Sequence, residues 1–395
     1  MSQTIDRNKL FVASCLALLV TSLSFGIRAG VLAQQGVDFH LDSAQLGTIA
    51  ATAFWGFPLA MLFGGTIVDI IGMKRLLMIA FVLHVAGILL TVFATGYWTL
   101  FISTLCVGLA NGAVEASCNP LVTSLFPDNK TTKLNHFHLW FPGGIVIGTL
   151  IVFLFNKIGL GTQIQVGIML IPAILYGYFF SKLDFPITER VSSGVSSKDM
   201  YMSLLNPLFI FMLICMLGTA ITELFTGQWI DVLLKNVSDN AILLLTIETG
   251  IMVIGRGLAE PVVKRFSPQG VLLMSTILAA LGLYILGHSD GNMLFVGAIV
   301  FIGVCYFWPT MLGFVSENMP QTGAVGINLL GGAGMFAVSI YMIFMSDYYK
   351  QLQESNTPTE AGRAIINTTM IIPIILIVAF AGLNLYMKSR KKATA

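Results

Sequence analysis

Charge is what this sequence of 395 residues has least of: only 10% are Asp, Glu, Lys or Arg, against 56% hydrophobic. A soluble domain keeps roughly 25% charged residues for its water-facing skin. Their scarcity excludes a molecule bathed in water on all sides and points to lipid as the main solvent. Cysteine is scarce too. The five (Cys15, Cys106, Cys118, Cys215 and Cys305) lie in apolar runs with no C-x-x-C spacing and no histidine pair at ligand distance. They read as small buried hydrophobes rather than disulfides or metal ligands. No P-loop, no Gly-x-Ser-x-Gly and no zinc-ligand spacing occurs, so neither an enzyme nor a cofactor is expected. The formal net charge of +2 is too weak for a nucleic-acid partner. The first apolar run starts at Leu10, has no small-residue cleavage site and reaches membrane length, so it reads as a span rather than a signal peptide.

What the chain does have is a series of apolar runs of the length, about 20 residues, that crosses a bilayer as a helix. Hydropathy places twelve, near 10–33, 44–70, 75–95, 97–126, 134–156, 163–182, 206–234, 240–263, 270–287, 292–316, 323–346 and 365–387. The longest polar stretch, Asp184 to Ser203, falls between the sixth and seventh. The expected organisation is therefore a six-helix bundle over 1–183, a linker over 184–203 and a second six-helix bundle over 204–395. With both termini cytoplasmic, the inner segments hold fifteen Lys and Arg and the outer loops four. Basic residues concentrate in cytoplasmic loops, so this bias favours twelve spans in an inner (plasma) membrane with both ends inside.

Gly65, Asp69, Gly72, Lys74 and Arg75 close the second span in the order G-x-x-x-D-x-x-G-x-K-R. This resembles the signature of the major facilitator superfamily, which latches the cytoplasmic side of the two halves in one state. The glycines permit close helix approach, and the basic pair faces anionic headgroups. The matching place in the second half, Gly255 to Pro268, keeps a basic end but lacks the aspartate. Arg256 is grouped with this gate, with Glu260 one turn on as its expected partner. The resemblance implies an all-α fold of two pseudo-symmetric six-helix bundles rocking about a central site, working as a monomer.

Three further stretches resemble the fucose permease branch of sugar:proton symporters. Glu115 to Pro120 reads E-x-x-x-N-P, Lys133-Leu134-Asn135 opens the fifth span, and Arg265-Phe266-Ser267-Pro268 follows the eighth. Gly218 to Trp229 resembles the branch's seventh span. Two departures stand out: Arg28 occupies a stretch of span one where the branch has an acid, and His138 stands where it has glutamine.

A charge at mid-bilayer costs at least about 2.5–3.5 kcal/mol, so each needs a partner, a cavity or a task. Glu115 sits mid-span with Asn111 and Asn119 one turn away on the same face. A buried carboxyl that gains and loses a proton suits a proton carrier; the alternative is a structural acid paired with Arg28 or held by amides. Arg28 reads as a guanidinium for a carboxylate or vicinal hydroxyls, or as a salt-bridge partner of Glu115 or Glu223. Glu223, Gln228 and Trp229 offer an acid, an amide and an indole on which a sugar ring can lie, though Trp229 also fits an interfacial belt. Asn119, Asn135 and His138 complete the expected lining, with Glu248 and Trp308 as weaker candidates. The expected function is proton-coupled symport of a small hydrophilic solute, a sugar or sugar derivative, by alternating access. Sugar-acid (organic-anion) transport, sodium as the coupling ion, and drug efflux are the alternatives.

Overall fold

The structure, a computed structural model, describes residues 5–227 and 241–394. Among them eleven helices are long and apolar enough to cross a membrane, and Ala241–Gly257 supplies the remaining span of the twelve expected. No strand occurs among the described residues.

Span one is Arg7–Asp38, capped by the Asp6 side chain. Span two, Ser43–Ile71, starts with a reciprocal capping box between Asp42 and Gln45. Span three is Met73–Val92, and span four is Tyr97–Leu125. Between spans two and three the chain turns on Gly72, whose φ of 86° is cheap only for glycine. Span five is broken into Lys130–His138 and Trp140–Lys157, and span six into Thr162–Gly167 and Leu170–Lys182. The linker carries two short helices, Glu189–Ser192 and Ser197–Ser203. Span seven, Pro207–Ala220, widens into a π-helical turn at Ile221–Phe225. After Ala241–Gly257 comes a helix assigned over Ala259–His288 that is sharply broken at Ser267, so the ninth span proper begins at Pro268. Span ten runs through Met293–Val300, a 3-10 stretch at Phe301–Tyr306, and Phe307–Asn318. Spans eleven and twelve are Gly323–Ser355 and Pro358–Thr394, longer than their apolar runs because polar helical ends extend past the hydrocarbon.

Spans one to six pack mainly on one another, as do seven to twelve. The two sets meet where span two lies on span eleven and where span five lies on spans eight and ten. The first contact is close. A Cβ on Gly65 would come within 2.8 Å of the Asn328 Cβ, so the absence of a side chain at Gly65 lets the two helices touch. The apolar core runs through both sets, while large aliphatic side chains such as Ile70, Val82, Ile214 and Val378 remain exposed on the perimeter, as a lipid-facing belt requires.

Candidate functional site

Glu115 lies ten residues from the end of span four, about 15 Å at 1.5 Å per residue. That places it near the middle of a hydrocarbon core about 30 Å thick. Every residue from Asn111 to Pro120 is buried, and Glu115 is only 2% exposed. The Asn119 side chain donates to the Glu115 carboxylate at 2.6 Å, and the Asn119 carbonyl lies 3.0 Å from His138 Nε2. His138 Nε2 is 3.8 Å from the carboxylate itself. An acid, an amide and an imidazole thus form one row across spans four and five.

A second group faces this row from the other half. The Arg256 guanidinium donates to Glu223 at 2.5 Å, to the Cys305 carbonyl at 2.7 Å and to the His138 carbonyl at 2.7 Å. The backbone N–H of Trp308 reaches the other Glu223 oxygen at 3.2 Å. Local sequence explains why these carbonyls are available. A helical carbonyl ordinarily accepts from the N–H four residues on, and proline has none. Pro142 stands four residues after His138, and Pro309 four residues after Cys305. Both freed oxygens are taken by Arg256, the way buried helix breaks are re-satisfied in membranes. The π-helical turn at Ile221–Phe225 in turn carries Glu223, a distortion typical of functional positions.

Glu115, His138, Glu223, Arg256 and Trp308 line one cavity, walled by Phe57, Phe141 and Met335. Its volume of about 20 Å³ holds little more than one water. The halves are therefore closed on each other here, and a solute needs them to part.

Arg256 corrects the sequence reading in two respects. It does not sit with the basic end of the repeat: it closes the helix Ala241–Gly257 and lines the central cavity with Glu115, reaching Glu223 and the His138 carbonyl. Its partner is Glu223 rather than Glu260, which pairs with Lys264 at 2.6 Å. Arg28 also departs from expectation. Among the described residues it has no carboxylate partner and lies over the rings of Phe25 and Phe54, 5.2 and 5.9 Å from their centroids. It lines a separate gap inside the first half with Ser24, Gln35 and Thr104, so the pairing with Glu115 or Glu223 is not found. Asn135 lies beneath the cavity, donating to the Thr131 carbonyl at 2.9 Å, with its own carbonyl oxygen buried and unpartnered among the described residues. Gln228 and Trp229 lie outside the described residues, as does the Glu248 side chain. Trp308, rated as a weaker candidate, is in the cavity wall. Asn111 turns away from Glu115 to His84 and Ser24, at 2.8 and 3.0 Å.

The motif residues seal one end of the molecule. Asp69 accepts from Thr188 at 2.5 Å and from Arg190 at 2.6 Å, both in the linker. Lys74 donates to the carbonyls of Ser181 and Leu183, while Arg75 is exposed. Lys130 grips Glu189 at 2.7 Å, and Thr131 donates to Glu317 across the halves at 2.6 Å. The linker's share in this seal has no local sequence signal beyond the adjacent acid and base Glu189 and Arg190, a pattern that Lys198 and Asp199 repeat without joining it. Among the described residues no group of three or more His, Cys, Asp or Glu converges as a metal site would.

The Major Facilitator Superfamily profile matches residues 11–342. A D-xylose transporter from Levilactobacillus brevis is 28% identical over 172 residues, 43% of this chain. The matched stretch spans only 37% of that relative's length. The crystal structure of the Escherichia coli fucose:proton symporter superposes with a TM-score of 0.72 at 15% identity, covering 93% of this chain and 98% of that one. A human organic anion transporter superposes with a TM-score of 0.70 at 12% identity, covering 95% and 100%. At these identities the superpositions establish the fold.

Proposed function

The chain belongs to the major facilitator superfamily, and from that premise we propose that it carries a small uncharged, hydroxyl-rich solute, a sugar or sugar derivative, together with a proton. In this reading residues 1–183 and 204–395 rock about the central cavity, 184–203 ties them together, and both termini face the cytoplasm of a plasma membrane. Glu115 takes and releases the proton. Asn119 and His138 hold the acid and offer hydrogen bonds to hydroxyls, while the Trp308 indole presents an apolar face for a ring.

The observation that carries the proposal is the row of Glu115, Asn119 and His138 facing the Arg256 and Glu223 pair across one buried cavity. Similarity to a xylose transporter and to a fucose:proton symporter supports the same class of solute and ion. The anionic alternative is weakened by charge. The cavity holds two carboxylates against one guanidinium already engaged by Glu223, and Arg28 lines a different gap. Sodium remains the competing coupling ion, since carboxylate and amide oxygens also hold a cation.

The test is uptake of a radiolabelled panel of sugars and sugar acids into proteoliposomes under a pH gradient, comparing wild type with Glu115→Gln. Accumulation of a neutral sugar that is lost in the variant while counterflow exchange persists is the expected result. Accumulation retained in the variant removes Glu115 as the coupling site. Inhibition by sugar acids but not by neutral sugars transfers the proposal to organic anions, and dependence on a sodium gradient replaces the proton.

A further inference from the structure

A second cavity lies away from the central one. A groove of about 590 Å³ opens on the outside of the second half, between the start of span nine and the end of span twelve. Its mouth carries Arg265 and Lys388, both exposed, and its floor is apolar, formed by Leu273, Met274 and Ile277. Leu273 to Ile277 cover one further turn into span nine, so the polarity changes from cationic to apolar along the groove, as it does across a membrane from headgroup to acyl chain.

Two features at the mouth go beyond surface charge. At Ser267 the backbone adopts φ 60° and ψ 160°, a combination otherwise almost confined to glycine. This break starts a new helix at Pro268, and Gln269 and Gly270 of its first turn line the groove with Arg265. The Gln269 side chain, in that first turn, is 7% exposed, lines the groove and has no hydrogen-bond partner among the described residues. That amide faces the space that a polar ligand would fill. Lys264 adds no free charge, being engaged by Glu260 at 2.6 Å. The net field at the mouth is that of Arg265 and Lys388.

We propose that this groove binds an anionic glycerophospholipid. The phosphate sits between Arg265, Lys388 and the helix start at Pro268, Gln269 bonds the glycerol or headgroup oxygens, and one acyl chain lies along Leu273, Met274 and Ile277. The charge complementarity selects an anionic headgroup over a zwitterionic one, and the apolar floor selects a lipid over a free phosphate. The site lies on the perimeter, apart from the solute cavity, and does not depend on which solute is carried.

The test is native mass spectrometry of the purified full-length protein in mild detergent, after incubation with phosphatidylglycerol or phosphatidylcholine of matched chains. Wild type is expected to retain phosphatidylglycerol at least fivefold better than phosphatidylcholine. Arg265→Ala/Lys388→Ala is expected to erase that preference. Leu273→Trp, which fills the floor and leaves both charges, is expected to reduce retention of both lipids. Glycerol phosphate in millimolar excess is expected not to displace the bound lipid. Because Arg265 and Lys388 are exposed, the double variant is expected to fold, and monodisperse elution with an unchanged melting temperature checks this. Equal retention of the two lipids, unaltered retention in the double variant, or displacement by glycerol phosphate overturns the proposal.

Discussion

Arg256, on span eight, donates to the backbone oxygen of His138, on span five, at 2.7 Å, and that oxygen is free because Pro142 has no N–H to offer it. The same guanidinium neutralises Glu223, and His138 in turn holds Asn119, which holds Glu115. One continuous chain of contacts therefore joins the buried carboxylates of the two halves. Parting the halves must break it at the single bond between Arg256 and His138.

The pair of Arg256 and Glu223 makes a stability prediction. Both side chains are 3% exposed or less. Removing one member of a buried pair strands a charge and costs about 3–5 kcal/mol, whereas replacing both by apolar residues of similar volume is often near neutral. Arg256→Met is therefore expected to melt well below wild type in detergent, and Arg256→Met/Glu223→Met to recover most of the loss. Both variants lose the contacts to Cys305 and His138 equally, so their difference isolates Glu223. Equal melting temperatures for the two would show that the carboxylate is not the cause.

At the sealed end, Asp69 is held by linker residues Thr188 and Arg190. Asp69→Asn keeps the volume and removes the charge, so the linker is expected to detach more often. Ser124 lines a small cavity there with Thr188 and Glu189, and the five native cysteines are buried or half-buried. In a Ser124→Cys background, Asp69→Asn is expected to raise maleimide labelling several-fold. Labelling unchanged by Asp69→Asn argues that the contacts of Lys130 and Glu317 suffice to hold the end closed.

How much of this could be read from the sequence depends on how local each feature is. Span number follows from apolar run length, and Glu115 is visible because a charge at least ten residues from both flanks of an apolar run cannot be at a membrane surface. Sequence proximity pairs Arg256 with Glu260, whereas the acid it meets in space is Glu223. What places Arg256 beside the central acids is its contact with Glu223 and with the His138 carbonyl, both far from it in sequence. The prolines were the missed signal. Pro120, Pro142 and Pro309 each free a carbonyl four residues earlier, at Ala116, His138 and Cys305, and each oxygen is met by a side chain from another span. A proline within an apolar span thus foretells that some polar side chain must come to it, although not which one.

Asn328 illustrates the close approach that Gly65 permits. It donates to the Ala116 carbonyl at 3.0 Å, across the halves. A methyl group at Gly65 would meet the Asn328 Cβ at 2.8 Å and the Val325 Cα at 3.3 Å, atoms close to the backbone that cannot swing away. Gly65→Ala is expected to push span eleven from span two, lengthen the Asn328 contact and favour separation of the halves at this end. The double variant Gly65→Ala/Ser124→Cys should label faster than Ser124→Cys alone, as with Asp69→Asn. If labelling stays slow while transport is normal, the two spans are already apart for most of the cycle.

Pro142→Ala separates the cross-half bond from every charge in the site. The substitution restores an N–H at position 142, four residues after His138, which then competes with Arg256 for the His138 oxygen. The Arg256 and Glu223 pair and the Glu115 row remain in place, so solute recognition is expected to be nearly unchanged. What changes is the bond that must break when the halves part. A net hydrogen bond to a charged group contributes about 1.5–3 kcal/mol, so weakening it shifts the balance away from the closed form by roughly tenfold or more. The expected phenotype is greater exposure of the central cavity, read as faster modification of a Trp308→Cys reporter, while Pro142→Ala with Trp308 intact keeps the wild-type apparent affinity for solute in counterflow. The same reporter in the Pro142 background stays slow because Arg256 holds the two halves through His138. Equal modification rates in the two backgrounds would mean that the halves are held together elsewhere, at Gly65 and Asn328 or at the linker.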